Sequence, residues 1–189
     1  MTVSGLLEVL GLVYGGSEVA LAFVRHSRSG SARSTDRGTL GILWVVIVLA
    51  IAGGILVAGR RLAPLPGSLR AWSLAGIVLL VGGLALRWTA ILTLRRAFTV
   101  DVAIAGDQRI VDRGVYRFLR HPAYTGNLLA FAGLALAFGD ALGWAVMVLP
   151  IAVAFAYRIR IEERALFSAF GEDYARYACR TRRLIPFVY

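Results

Sequence analysis

Two short segments of this 189-residue chain concentrate the side chains that could hold an anion or a charged cofactor. One is Arg120-His121-Pro122-Ala123-Tyr124-Thr125-Gly126, and the other is Arg158-Ile159-Arg160-Ile161-Glu162-Glu163. Pro122 suits the first turn of a helix, where its missing N–H does no harm. The free backbone N–H groups and positive helix end there suit a carboxylate or other anionic group. His121 adds a donor and Tyr124 an aromatic face. Arg158 and Glu162 stand four apart, hence on one helix face, a spacing that also fits an ordinary ion pair. Arg87 is the third candidate, because it lies inside an otherwise apolar stretch. A charge there costs about 2.5–3.5 kcal/mol on insertion scales, so it either pairs or lines a polar cavity. It could pair with Glu8 or Glu18 or snorkel toward the cytoplasmic end at Arg95, and an anionic ligand in a cytoplasm-facing cavity is the alternative. A single cysteine, Cys179, and two histidines exclude a disulfide and argue against a zinc site, so no metal is expected.

Apolar helices must position these residues. The chain is 58% apolar and 17% charged, against roughly 25% charged in soluble domains. Apolar stretches run over Val3–Val24, Leu40–Ala58, Leu69–Leu94, Tyr124–Phe138 and Leu142–Tyr157. A spanning helix needs about 20 residues, which the first three supply. Gly139, Asp140 and Gly143 punctuate the last two, which read as a short helical hairpin. The expected fold is therefore an all-α integral membrane protein with about five transmembrane helices. The N-terminal stretch lacks a basic leading region and contains Glu8 and Glu18, so it reads as a span and not as a cleaved signal. Residues 25–38 form a polar Ser/Gly/Arg loop, and Pro64, Pro66 and Gly67 mark an ordered turn. Ala97–Tyr116 alternates like extended chain on the cytoplasmic surface. Beyond Tyr157 the pattern stays helical but turns amphipathic, Gly171 ends that helix, and Glu172–Arg182 begins another.

The net charge of +10 comes from arginine alone, with no lysine in the chain. Seventeen arginines follow the first, third and fifth stretches, against three, Arg60, Arg61 and Arg70, on the opposite side. The basic side of a membrane protein is cytoplasmic, which predicts an outer N-terminus and a cytoplasmic C-terminus and site in the cell membrane. This topology, with anionic lipid as partner, accounts for the charge without nucleic acid.

The segments also share a resemblance. Leu86-Arg87-Trp88, Phe98-Thr99, Ile110-Val111-Asp112-Arg113-Gly114-Val115-Tyr116 and the Arg120–Gly126 string are similar to the isoprenylcysteine carboxyl methyltransferase family. So are Glu162-Glu163-Arg164-Ala165-Leu166-Phe167-Ser168-Ala169-Phe170-Gly171-Glu172-Asp173-Tyr174 and Arg183-Leu184-Ile185-Pro186. The resemblance covers about residues 84–187 and divides the chain into N-terminal helices and loop, 1–83, and a motif-bearing core, 84–189. Phospholipid methyltransferases and membrane sterol reductases share much of this tail. The resemblance implies S-adenosylmethionine as cofactor, held by Gln108, Arg109, Ile110, Val111, Tyr116, His121, Pro122, Ala123, Tyr124 and Glu162. Gln108 stands where many members have His. Arg87, Arg158 and Glu162 are the catalytic candidates, the two arginines on the acceptor carboxylate, and Glu163 could exchange roles with Glu162. The implied substrate is a lipidic or prenylated small molecule entering sideways from the bilayer. A nicotinamide-dependent (NADPH) membrane reductase and a non-catalytic lipid-binding protein are the alternatives.

Overall fold

The computed structural model describes residues 39–94 and 110–184, with positions 11, 15 and 16. Five α-helices account for most of them: α1 Thr39–Gly59, α2 Leu69–Leu94, α3 Pro122–Leu136, α4 Ala141–Phe170 and α5 Glu172–Arg180. Among the described residues α1, α2 and α4 are long and apolar enough to cross a membrane. Helix α3 has 15 residues, about 22 Å at 1.5 Å per residue, which is short of a full crossing. The expected stretch Val3–Val24, the 25–38 loop and residues 95–109 lie outside the described residues. The expected hairpin is present, but its second arm is one 30-residue helix. That helix continues through Pro150, where a backbone donor is missing, and past Tyr157 into the charged segment. The expected extended chain also gives way at its end to a 3-10 turn over Gly114–Arg117. Gly114 opens it with φ +59°, a left-handed conformation that favours glycine.

Small residues bring α2 and α3 into backbone contact. A Cβ at Gly83 would lie 2.5 Å from the Ala130 nitrogen and the Gly126 oxygen, and one at Gly76 would lie 2.5 Å from the Gly133 oxygen. Gly126 in turn faces the Arg87 backbone, so this close approach sets where Arg87 stands relative to the start of α3. Helix α1 packs on α4 in the same manner, Gly54 against Met147 and Gly143 against Ala58. Small residues that let backbones approach are the usual currency of helix association in lipid. Leu43, Ile47, Leu80, Phe131, Met147, Ile151 and Phe155 fill the core between these helices. Gly83→Ala is expected to lower the melting temperature, since overpacking costs about 1–3 kcal/mol. Gly82→Ala, next to it but with open space around its Cβ, should leave thermal unfolding unchanged in the same detergent.

The turns at the two ends differ in kind. At one end Asp140 caps α4 through the Gly143 N–H at 2.7 Å and accepts the Ala63 N–H at 2.8 Å, joining the α1–α2 and α3–α4 connections. At the other, Gly171 turns the chain with φ +50° into α5, whose acidic first turn, Glu172 and Asp173, suits the positive helix end. After α5 the chain runs back beside the start of α3. Leu119 and Arg182 form a parallel bridge, with Arg120 N–H donating to the Arg182 carbonyl at 2.7 Å and His121 N–H to that of Arg183 at 3.1 Å.

Candidate active site

The polar residues meet where the last turns of α2, the start of α3 and the charged part of α4 lie beside this returning segment. Pro122 occupies the first turn of α3, as its fixed φ favours. His121 is the N-cap residue but makes no side-chain cap bond, so its ring does not take the first N–H groups of the helix. His121 is buried, with Nδ1 4.0 Å from the Glu162 carboxylate and Nε2 3.5 Å from that of Glu163. Among the described residues Nε2 makes no hydrogen bond of good geometry, and the Glu163 carboxylate is the charge it faces. Tyr124 stands one helical turn on, its ring tilted against His121 at 5.8 Å and edge-on to Phe155 at 5.2 Å.

Helix α4 supplies the two charges facing Tyr124. Arg158, 2% exposed, donates from Nε to the Tyr124 hydroxyl at 3.1 Å. Glu162 lies close enough for its field to act on the same phenol, so the oxygen that accepts from the arginine also stands beside the carboxylate. The i,i+4 spacing puts both residues on the face that meets α3, and each acts on Tyr124. Tyr116 arrives from the 3-10 turn and packs against Ala90 and Ala123. Burial and, next, the field of Glu162 push its phenol above the ordinary tyrosine range, while Arg87 opposes them. Tyr116 therefore stays protonated and neutral. Arg87, buried on α2, shares this electrostatic neighbourhood.

The adjacent Glu163 has a different role. Its carboxylate accepts from Arg120 Nε at 2.9 Å and from Arg183 Nε at 2.8 Å. Arg120 also donates to the Ala178 and Thr181 carbonyls at 2.7 and 2.5 Å, which are among the groups left unsatisfied where α5 ends. Glu163 is thus a structural hub, and Glu162 remains the carboxylate beside the two tyrosines.

The structure brings together Arg87, Tyr116, His121, Pro122, Ala123, Tyr124, Arg158 and Glu162. Ile110 and Val111 open the described segment that leads into the 3-10 turn, and Gln108 and Arg109 lie outside the described residues. Sequence reasoning did not single out Asn127, which is buried near the site. Its signal was present, since it is the only asparagine in the chain and interrupts an apolar run. Among the described residues no cluster suited to a metal ion occurs.

The family model for the isoprenylcysteine carboxyl methyltransferase (ICMT) family matches residues 74–168. Protein-S-isoprenylcysteine O-methyltransferase B of Arabidopsis thaliana is 33% identical over 178 residues, covering 91% of this chain and 87% of that protein. The probable protein-S-isoprenylcysteine O-methyltransferase of Oryza sativa subsp. indica is 28% identical, with 94% and 92% covered. The solved structure of the eukaryotic intramembrane Ras methyltransferase ICMT superposes with a TM-score of 0.72 at 25% identity, over 98% of this chain and 67% of that one.

Proposed function

Because the chain belongs to the isoprenylcysteine carboxyl methyltransferase family, we propose that it moves a methyl group from S-adenosylmethionine to the carboxylate of a prenylated cysteine or a closely similar lipidic acid. The chain is an integral membrane methyltransferase. The seventeen-to-three arginine asymmetry supports a cytoplasmic site and C-terminus and an outer N-terminus. The observation that carries the reading is the Tyr124 hydroxyl, which accepts from Arg158 and stands in the field of Glu162. It joins a cationic group suited to an acceptor carboxylate to an anionic group suited to a cationic donor.

The residues present fit such a donor. Glu162 is not engaged by the Arg120 and Arg183 pair that holds Glu163, and its side chain is 31% exposed. Its charge suits an ammonium or sulfonium group. The His121, Tyr116 and Tyr124 rings offer flat faces for a nucleoside, and the first N–H groups of α3 suit its polar edge. When bound, S-adenosylmethionine supplies an electrophilic methyl group on a positively charged sulfur. The chain's own contribution is proximity and orientation. An acceptor carboxylate is ionised at neutral pH, so no residue need remove a proton. It must instead be drawn out of water and aimed. Arg158 and Arg87 suit that task, because a planar guanidinium matches a carboxylate with two parallel donors. The apolar tail of the acceptor has a direct route from the bilayer, which explains why this chemistry is housed among membrane helices.

The test is methyl transfer from labelled S-adenosylmethionine to an S-prenylated N-acetylcysteine by the purified protein in nanodiscs, with Glu162→Ala alongside. Glu162→Ala is expected to weaken S-adenosylhomocysteine binding by more than about tenfold, the loss of one charge-assisted hydrogen bond. Labelled product from the parent chain supports the reading. Unchanged affinity in a folded Glu162→Ala protein would reassign the donor pocket.

A further inference from the structure

We infer that Glu163 is a positioning residue for methyl transfer, acting through Arg120, Arg183 and His121 to lock the C-terminal strand over the start of α3. The inference rests on the functional reading above and extends it to a group that touches neither donor nor acceptor. Glu163 is 4% exposed, deep for a carboxylate, and is held by two guanidinium groups from different parts of the chain. Arg120 immediately precedes His121, and Arg183 lies on the strand whose carbonyl accepts the His121 N–H. One carboxylate therefore fixes the chain on both sides of the site histidine. Thr125 adds a further tie, its hydroxyl donating to the Leu184 carbonyl at 2.7 Å.

The consequence falls on Glu162. The His121 ring stands between the two carboxylates, Nδ1 toward Glu162 and Nε2 toward Glu163. With Glu163 charged and anchored, the ring has a reason to keep its present position. Neutralising Glu163 leaves Arg120 without its charged partner and Glu162 as the carboxylate still facing His121. Glu162 would then be drawn away from Tyr124 and Tyr116. The adjacent pair thus divides its work, Glu163 absorbing the cations of the scaffold so that Glu162 stays beside Tyr116 and Tyr124.

The test compares Glu163→Gln, Arg183→Gln and the double variant with the parent chain in nanodiscs. The readouts are S-adenosylhomocysteine affinity by calorimetry, KM for S-adenosylmethionine, kcat on an S-prenylated N-acetylcysteine, and melting temperature. Glu163→Gln is expected to raise the donor KM and weaken S-adenosylhomocysteine binding by about tenfold. Arg183→Gln, whose side chain is 35% exposed and whose loss the fold should tolerate, is expected to move both in the same direction by a smaller factor. The double variant should be no worse than Glu163→Gln, because both substitutions break one network. A purely structural role would lower the melting temperature and leave KM and affinity within twofold of the parent, and that result overturns the inference. If Glu163→Gln does not fold, an unmoved donor KM in Arg183→Gln overturns it equally. A parent chain that neither binds S-adenosylhomocysteine nor transfers methyl groups would instead overturn the function, and this role with it.

Discussion

Arg158→Ala is expected to lower methyl transfer to a prenylcysteine acceptor by about a hundred- to a thousandfold, the range seen when a single preorganised donor is removed from a developing charge. The side chain is almost wholly buried, and its Nε donates to Tyr124. Two explanations of such a loss must be separated. If Arg158 serves only to hold Tyr124, then Tyr124→Phe, which removes the hydroxyl and keeps the ring, should cost as much. If the guanidinium engages the acceptor carboxylate, Arg158→Ala should be far more damaging than Tyr124→Phe. The second outcome is expected, because a planar guanidinium matches a carboxylate with two parallel donors, a fit that a phenol cannot supply. Turnover at saturating donor is the measurement. Equal losses in the two variants would make Arg158 a support for Tyr124 and no more.

The site residues that were legible in the sequence are those whose chemistry violates its surroundings. Arg87 in an apolar stretch and Arg158 four residues before Glu162 stand out because charge in a membrane helix needs a reason. Both are buried at one end of the bundle. The choice between Glu162 and Glu163 was not legible. Neighbours in a helix differ by about 100° in direction, but which direction meets α3 depends on packing by residues far away in sequence. Arg120 and Arg183 pair with Glu163 and leave Glu162 beside the tyrosines, and no local pattern forecasts that Arg183 returns beside the start of α3. The long helix α4 was half legible. Its apolar part and amphipathic part read as separate pieces because the hydrophobic pattern changes at Tyr157, although the backbone does not. The glycines were legible only as composition. Gly83 and Gly82 are adjacent and look alike in the sequence, yet one faces the α3 backbone and the other open space.

Arg87→Lys separates a structural charge from a reacting-site charge most sharply. A buried pair broken by removing one partner destabilises a protein by about 3–5 kcal/mol. Lysine avoids that cost by keeping the positive charge and the apolar stem. It also leaves the contact with Gly126 undisturbed, since that contact is made by the Arg87 backbone and Cβ. The substitution removes only the planar fork of donors. If Arg87 merely balances a carboxylate, the lysine should serve nearly as well and turnover should hardly move. The packing of Arg87 against the first turns of α3, where Tyr124 meets Arg158, favours the other case, in which the guanidinium aims the acceptor. A carboxylate misplaced by about 1 Å loses on the order of a hundredfold in rate. The Arg87→Lys protein is therefore expected to fold, to melt within a few degrees of the parent, to bind S-adenosylhomocysteine normally, and to lose about a hundredfold in turnover. Activity within a few-fold of the parent on a prenylcysteine acceptor would remove Arg87 from the reaction and leave it a charge that holds the helices together.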